Sequence, residues 1–276
     1  MADASRRNAA FSSLPARVAS GVFYGALLGG VVLWGGELGL AVLLSALGAL
    51  AGWELHRMTR RGRRLLAEFA GITAIVLMPL SVALLGLSGL LAVVSALTVA
   101  AFSWHVYATG MRLADTAVVV LGALVIGFSL AHLVAVRALD NGVVLTLTVL
   151  VSVWAGDVLA YFVGSLIGSH KLAPRISPNK SWEGFAAGMV GTLAVWFALP
   201  LVAETGLSHR WLGVIAVGIA LAGLVGDLFE SRIKREAGVK DSGSLMPGHG
   251  GMLDRIDSLL LVSIVAYHLL VMAGAA

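Results

Sequence analysis

The sequence predicts an all-α, polytopic membrane protein with about nine transmembrane helices. Of its 276 residues, 59% are hydrophobic and only 12% are charged. Apolar runs recur from about Val18 to Gly274, and several reach the ~20 residues that a helix needs to cross a bilayer core. Runs of this length must be helical, because lipid offers the backbone no hydrogen bonds. The sequence has no cysteine, which excludes a disulfide framework and a zinc site built from cysteines.

Nine apolar spans are separated by short polar stretches. They cover about residues 18–35, 37–54, 66–86, 89–105, 115–136, 143–167, 185–203, 212–230 and 257–274. Basic residues precede the first span, as in a secretory signal peptide, but no small-residue cleavage site stands out after it. We therefore expect the first span to be a membrane helix.

The basic residues predict an orientation. With the N-terminus in the cytoplasm and alternating spans, seventeen of the 19 Lys and Arg residues lie on the cytoplasmic side, and only Arg137 and Arg210 lie outside. Cytoplasmic loops carry such an excess of positive charge, so we expect a multi-pass protein of the cell's inner (plasma) membrane. We do not expect nucleic acid as a partner, because no soluble domain remains to bind it.

The chain divides into five N-terminal membrane helices, residues 1–142, and a C-terminal region, residues 143–276. The two longest polar connections, 169–184 and 231–256, both belong to the second region and face the cytoplasm in this topology. Ten charged side chains lie in or next to the second connection, in a chain that is otherwise poor in charge. A cytoplasmic site at membrane level is therefore predicted in the C-terminal region.

Asp227 and Glu230 lie near the predicted end of span eight, three residues apart on one helix face. A carboxylate close to a helix C-terminus is electrostatically unfavourable, and this one lies beside a basic cluster that includes Lys234 and Arg235. One or two carboxylates, together with substrate phosphate oxygens, are the usual ligands of Mg²⁺ in proteins. We therefore predict that Asp227 binds a cation.

Asp254 and Asp257 open span nine, again three residues apart. Carboxylates at a helix N-terminus can bind a metal, but they also cap free N–H groups and offset the helix dipole. Both interpretations stay open for these residues. Nearby cations can likewise neutralise phosphates, or fix topology and contact lipid head groups. The second role suffices for the basic cluster at 57–64, but it leaves the acids and glycines of 231–257 unexplained.

Two further segments suggest phosphate binding. The sequence PGHGG around His249 predicts a tight turn that can bring backbone N–H groups close to a phosphate, although a lone histidine is more often structural. In the other loop, Ser177 before Pro178 is typical of a helix N-cap. A helix that starts there, with Lys180 in its first turn, predicts an anion site.

Asp157 lies well inside span six. A carboxylate within a membrane span is costly and marks a functional site by default. It can equally be the structural partner of a basic residue or accept a helix-packing hydrogen bond, so both roles stay open. Taken together, carboxylates, lysines and glycine turns at membrane level suit metal-assisted transfer on a phosphate-bearing substrate, with a lipid as one substrate.

The stretch 231–257 closely resembles the signature of the phosphatidate cytidylyltransferases, also called CDP-diacylglycerol synthases. The residues that carry the resemblance, without a gap, are Ser231, Lys234, Arg235, Lys240, Asp241, Gly243, Pro247, His249, Gly250, Gly251, Asp254, Arg255 and Asp257. Met246 stands where the family usually has Ile, Leu or Phe, which is a conservative departure.

Two shorter elements extend the resemblance to about residues 150–260. One is formed by Ser177, Pro178, Lys180, Ser181, Glu183 and Gly184. Asn179 replaces a lysine that is common there. The other is the segment DVLAYFVG, which begins at Asp157. The first half of the chain resembles the family only as a bundle of apolar helices.

The resemblance implies the reaction in which CTP and phosphatidate give CDP-diacylglycerol and pyrophosphate. It also implies a homodimer and Mg²⁺, with a second, monovalent cation such as K⁺. We assign Asp227 and Asp254 to Mg²⁺, with Asp257 in support. The cations expected to neutralise phosphates are Lys180, Lys234, Arg235 and Lys240. The other residues expected to bind substrate are Ser177, Ser181, Glu183, Asp241, His249, Gly250, Gly251, Arg255 and Asp157.

Two alternatives remain on the sequence alone. A CTP-dependent polyprenol or phytol kinase, from a related membrane family, would phosphorylate an alcohol and would need a base near its hydroxyl. An ion-coupled transporter would use Asp157 and Asp227 to carry ions. Transporters often show repeats or broken helices near the bilayer midplane, and neither is evident in this sequence.

Overall fold

The computed structural model describes residues 21, 23–59, 65–108, 110, 112–243 and 250–275. The helices in this part of the chain are α1 (Phe23–Trp34), α2 (Gly36–Thr59), α3 (Leu65–Tyr107), α4 (Leu113–Ala123), α5 (Ser129–Arg137), α6 (Gly142–Ile167), α7 (Trp182–Ala198), α8 (His209–Glu236) and α9 (Leu253–Met272). A π-helical turn, Leu124–Phe128, joins α4 to α5, and a 3₁₀ turn, Leu199–Leu201, follows α7. Strands β1 (Lys171–Ala173) and β2 (Ser177–Ser181) form an antiparallel hairpin.

Seven helices in the described residues are long and apolar enough to cross a membrane, with α4 and α5 counted as one continuous helix. Large apolar side chains such as Trp34 and Leu166 point outward and are more than three-quarters exposed. Outward-facing apolar side chains suit a surrounding of lipid, because lipid tails are as apolar as the side chains themselves. The prediction of an all-α, multi-pass membrane protein is confirmed.

Helix α3 reverses direction at Gly86. Its 43 residues would measure about 64 Å if straight, about twice the thickness of a bilayer core. The backbone leaves the helical region at Gly86, with φ 65° and ψ −157°, a conformation that a side chain would disfavour. A Cβ atom on Gly89 would lie 2.6 Å from the carbonyl oxygen of Ser81, whereas a straight helix separates residues eight apart by about 12 Å. The break lies at the predicted boundary between spans three and four.

Glycines bring α6 and α7 into close contact. A Cβ on Gly188 would lie 2.8 Å from the carbonyl oxygen of Gly156, and one on Gly184 would lie 2.8 Å from that of Ala160. Small residues allow membrane helices to approach in this way. Helices α8 and α9 meet similarly at Gly226, where a Cβ would lie 2.8 Å from the carbonyl oxygen of Asp257. These contacts set the distances between the helices that carry the charged residues.

Helix α8 is longer than the sequence predicts. It continues to Glu236 rather than ending near residue 230, so Lys234 and Arg235 form its last turn. Asp227 therefore lies more than two turns inside the helix, and the argument that placed it at an unfavourable C-terminus is wrong. The apolar pattern stops where α8 leaves the predicted span, but the helix continues because its charged residues still favour helix formation.

The structure also corrects the predicted start of α7. Ser177 and Pro178 belong to strand β2, and the helix begins at Trp182 with Ser181 as its N-cap. The hydroxyl of Ser181 accepts a hydrogen bond from the backbone N–H of Gly184 at 3.2 Å. Pro178 is tolerated in β2 because a two-stranded hairpin has only edge strands. Lys180 is consequently a strand residue and does not lie in the first turn of a helix.

Candidate active site

A cavity of about 690 Å³ lies between α6, α7, the β-hairpin, α8 and the start of α9. Glycines line its α6 and α7 walls and leave it wide. Its polar lining consists of Asp157, Tyr161, Ser165, Lys171, Asn179, Lys180, Ser181, Thr192, Asp227, Asp254, Asp257 and Ser258. The cavity thus brings together four acids and one lysine, Lys180, that the sequence assigns to one site, although they come from four separate elements.

Four acids reach the cavity from three helices. Asp157 projects from α6, Asp227 from α8, and Asp254 and Asp257 from α9. Asp157 is close enough to Asp227 to repel it, and Asp257 is close enough to repel both. The side chain of Asp157 is exposed to the cavity. The acid within span six therefore faces an open polar space and is not packed against lipid or core.

The hairpin supplies the cation nearest to these acids. The Nζ atom of Lys180 lies 2.5 Å from Oδ2 of Asp227, and both side chains remain about one quarter exposed. The hydroxyl of Ser231, one helical turn further along α8, donates to Oδ1 of Asp227 at 3.2 Å. The hairpin brings Lys180 into the cavity because β2 runs directly into the N-cap of α7.

A second lysine is held more deeply, where α8 ends and α9 begins. The Nζ atom of Lys234 lies 2.5 Å from Oε2 of Glu230 and 2.7 Å from Oδ1 of Asp254. The side-chain exposures of these three residues are 12%, 4% and 8%. A buried ion pair of this kind requires good geometry to offset the loss of hydration. This cluster therefore fixes α8 against α9.

Asp254 does more than cap its own helix. Its Oδ2 atom accepts hydrogen bonds from the backbone N–H groups of Gly251 and Ser242 at 2.8 and 3.0 Å, and lies 2.9 Å from the hydroxyl of Ser242. A helix cap accepts instead from the first N–H groups of the helix itself. Gly250 has φ 81°, and a Cβ there would lie 2.7 Å from the same carboxylate oxygen. Asp254 thus ties both flanks of 244–249 to Lys234.

Four of the predicted site residues lie at the protein surface. Lys240, Asp241 and Arg255 are exposed, although Arg255 is close enough to Asp157 to attract it. Arg235 is also exposed, and its guanidinium donates to the carbonyl oxygens of Ile176 and Val239 at 3.3 and 3.2 Å. Arg235 links the end of α8 to the hairpin and does not line the cavity. Predicted residue His249 lies outside the described residues.

Ser177 and Glu183, two predicted site residues of the segment 177–184, make contacts that hold the local structure. Ser177 is paired with Ala173 across the hairpin. The carboxylate of Glu183 accepts from the Ser169 hydroxyl at 2.8 Å and from the His170 backbone N–H at 3.1 Å, and it lies 2.6 Å from the His170 ring. Glu183 therefore holds the chain where α6 gives way to β1.

Sequence reasoning missed Glu54 and Ser242. Glu54 belongs to α2, in the N-terminal half, and is only 1% exposed. Its Oε2 atom accepts from the backbone N–H of Leu253 at 2.9 Å and lies 3.1 Å from the hydroxyl of Ser242. A carboxylate inside an apolar span was available as a signal, and it is the same signal that drew attention to Asp157.

The donor set of the cavity suits a hard cation such as Mg²⁺. Its carboxylates outnumber its lysines, and carboxylate oxygens are the ligands this ion prefers. Within the described residues, no group of three or more His, Asp or Glu side chains is arranged closely enough to hold a metal unaided. Mg²⁺ usually takes only one or two carboxylates and completes its shell with water and substrate oxygens. The residues present therefore fit the ion together with a phosphate substrate.

Comparison with known proteins identifies the family. Residues 15–273 match the cytidylyltransferase family. The chain is 35% identical over 245 residues to the phosphatidate cytidylyltransferase of Bacillus subtilis, an alignment that covers 85% of this chain and 90% of that protein. The chain belongs to the cytidylyltransferase family. The resemblance inferred from the two loops is confirmed, and the chain is a nucleotidyltransferase.

Two further relatives match over part of their length. The phosphatidate cytidylyltransferase of Mycobacterium leprae is 46% identical over 123 residues, which are 44% of this chain and 38% of that protein. That of Thermotoga maritima is 45% identical over 133 residues, which are 46% and 49% of the two chains. These names do not favour the prenol kinase or the transporter considered above.

Proposed function

We propose that the chain transfers the cytidylyl group of CTP to phosphatidate, giving CDP-diacylglycerol and pyrophosphate for phospholipid synthesis. The observation that carries the proposal is the wide cavity at the ends of membrane helices, which brings four acids together with the hairpin residue Lys180. A membrane-level site of this kind is open to a lipid phosphate and to a soluble nucleotide. The relatives that match this chain bear the name of this activity.

The chemistry requires charge control more than acid–base catalysis. An oxygen of the phosphatidate phosphate attacks the α-phosphorus of CTP, and the bond to the β-phosphate oxygen breaks, so pyrophosphate leaves. The attacking oxygen is already anionic and needs no strong general base. The obstacle is the approach of several negative charges, which positioned cations relieve.

Residues of the hairpin and of α8 supply this control. Lys180 and Lys171 line the cavity and can neutralise phosphates there. Lys234 positions Asp254 through their 2.7 Å contact. Arg235 and Lys240 belong to the signature stretch 231–257 and are exposed. We propose that they contact the triphosphate of CTP as it enters the site. Asp241, Arg255 and the glycines 250 and 251 are proposed to shape its binding.

Asp227 and Asp254 would hold Mg²⁺, with Asp257 in support, and K⁺ is proposed as a second cation. Bound there, Mg²⁺ would neutralise and orient the triphosphate. Asp227 currently pairs with Lys180 at 2.5 Å. We propose that this lysine releases Asp227 and turns to the nucleotide phosphates when substrate binds, since both groups remain partly exposed to the cavity.

We also propose nine membrane crossings with the N-terminus in the cytoplasm. A second cavity is lined by Thr59 at the end of α2, Arg112 before α4 and Glu236 at the end of α8. Because Thr59 shortly precedes α3 and Arg112 shortly follows it, both ends of α3 lie near the same face of the protein. The reversal at Gly86 then makes two crossings of α3, which with α1 gives nine. The excess of basic residues supports a cytoplasmic location for this face. The proposed setting is the inner membrane, with phosphatidate taken from its cytoplasmic leaflet by a homodimer.

A lipid-dependence assay tests the proposed function. The detergent-purified protein receives CTP and Mg²⁺ with phosphatidate, with a polyprenol, or with no lipid, and pyrophosphate and lipid products are measured. We expect pyrophosphate and CDP-diacylglycerol only with phosphatidate. Formation of CDP and a prenyl phosphate would establish the kinase instead, and lipid-independent release of pyrophosphate would remove the lipid from the reaction.

A further inference from the structure

Glu54 connects the N-terminal half of the molecule to the signature segment. Its carboxylate is buried in α2, yet the two groups that reach Oε2 belong to residues 188 and 199 positions later in the chain. They lie on opposite flanks of 244–249, since Ser242 precedes that stretch and Leu253 follows it. One carboxylate oxygen thus holds both flanks in register.

The local chain is shaped to admit this carboxylate. A Cβ on Gly243 would lie 2.5 Å from Oε1 of Glu54, and a Cβ on Gly251 would collide with Oε2 and with the Ser242 hydroxyl. Any side chain at either glycine would therefore push Glu54 away. Glycine is therefore required at these two positions for a reason other than phosphate binding: the backbone must approach the Glu54 carboxylate closely.

The contact continues to the catalytic groups through one hydroxyl. The Oγ atom of Ser242 lies 3.1 Å from Oε2 of Glu54 and 2.9 Å from Oδ2 of Asp254. A hydroxyl has a single proton to donate, so the two carboxylates compete for it. Asp254 in turn holds Lys234 at 2.7 Å. A displacement of Glu54 would consequently move the residue that we assign to Mg²⁺.

We propose that Glu54 is a positioning residue for cytidylyl transfer, whose length and acceptor oxygen hold Ser242 and Leu253 so that Asp254 faces the cavity. The proposal rests on the proposed function, and it gives the N-terminal helices a role in the reaction. A displacement of about 1 Å at a reacting group can lower turnover on the order of 100-fold, and Glu54 controls a displacement of that kind.

Three variants separate geometry from charge. Glu54→Gln keeps the length and one acceptor oxygen, Glu54→Asp keeps the charge but withdraws it by one methylene, and Glu54→Ala removes both. We expect kcat to fall on the order of 100-fold in the Ala variant, less in Asp, and less than about tenfold in Gln, since one weaker hydrogen bond changes a rate by about that factor. KM for CTP should change less than kcat, because Glu54 does not line the substrate cavity.

Ser45→Ala is the matched control. Ser45 is also buried in α2, and its hydroxyl donates to Val76 of α3 at 2.8 Å, so its loss weakens the same helix without touching the signature segment. We expect its kcat to match the wild type. A kcat loss in Ser45→Ala equal to that in Glu54→Ala would overturn the proposal, as would a ranking in which Asp retains more activity than Gln.

Hydrogen exchange tests the anchor without the reaction. Peptides covering 237–243 and 250–256 should exchange faster in Glu54→Ala than in the wild type or Ser45→Ala, and unchanged exchange would overturn the proposal. If Glu54→Ala does not fold, the double variant Glu54→Gln, Ser242→Ala provides the test. Because Glu54 and Ser242 are partners in one contact, we expect the kcat of the double variant to be no lower than that of the poorer single variant. Additive losses of kcat would overturn the proposal. Absence of turnover in the wild type would reject the proposed function. The hydrogen-exchange result would still test whether Glu54 holds Ser242 and Leu253 in place.

Discussion

Lys180 and Lys234 occupy contrasting regions of the site. Lys180, on the hairpin, pairs with one acid, and both side chains stay about one quarter exposed. Lys234, where α8 meets α9, contacts two acids and is only 12% exposed. An exposed pair adds little stability and exchanges easily, whereas a buried pair cannot lose one partner without leaving an uncompensated charge. The difference indicates that Lys180 is free to move to the substrate, whereas Lys234 holds α8 against α9.

Lys234→Ala should have the largest effect. It leaves Glu230 and Asp254 buried without their cation, which we expect to cost about 3–5 kcal/mol of folding stability and to abolish turnover. Thermal unfolding in detergent measures the loss, with Lys180→Ala as the control. A Lys234→Ala protein that melts at the wild-type temperature would show that the buried cluster does not hold the framework.

Asp227→Asn should strongly lower Mg²⁺-dependent turnover with little loss of stability. Asparagine keeps the size and one acceptor oxygen but removes the charge. We expect kcat/KM to fall on the order of 10²–10³-fold while the melting temperature stays near that of the wild type. Titrating Mg²⁺ in both proteins checks the assignment, and an unchanged Mg²⁺ dependence in Asp227→Asn would shift the ligand role to Asp257.

Lys180→Ala should lower kcat/KM for CTP by about ten- to a hundredfold, because hydrogen bonds to charged groups contribute about 1.5–3 kcal/mol. Its melting temperature should hardly change, since its pair with Asp227 is partly exposed. Steady-state kinetics measures kcat/KM for CTP in the wild type, in Lys180→Ala and in the charge-conserving control Lys180→Arg. Equal melting losses in Lys180→Ala and Lys234→Ala would erase the distinction between the two regions.

Arg232→Ala should have the smallest effect. Its side chain and that of Glu236 form an exposed pair one turn apart on α8, with exposures of 62% and 63%. Such pairs contribute about 0.3–0.5 kcal/mol, so we expect wild-type turnover and a melting temperature within a degree or two. A tenfold loss of activity in this variant would mean that Arg232 itself takes part in the reaction.

Composition was enough to predict the membrane helices, because each span must satisfy its own backbone in lipid. The same reasoning could not find the hairpin. Its strands are three and five residues long, and their polar sequence, with Pro178, also suits a helix start. The extent of α8 was underestimated because hydropathy marks the membrane boundary, and a helix can continue beyond it into water.

Asp157, Asp227, Asp254 and Asp257, all singled out from the sequence, line one cavity, and their roles stay predictions. Their contacts were not predictable. The link between Glu54 and Leu253 spans 199 positions, and no local pattern records a contact of that range. The helix-end argument for Asp227 was wrong, yet the residue lies in the cavity, because the i to i+7 spacing from Ala220 keeps it on the cavity face of α8.

The reversal at Gly86 leaves almost no polar chain between the two halves of α3. The turn is flanked by Leu84, Leu85 and Leu87, all outward-facing, and the Ser88 hydroxyl donates to the carbonyl of Leu85 at 2.7 Å. A protease added on the face opposite the cavity would therefore find no hydrophilic loop to cleave here. During synthesis, the two halves can enter the bilayer as one hairpin, since no charged segment has to be carried across.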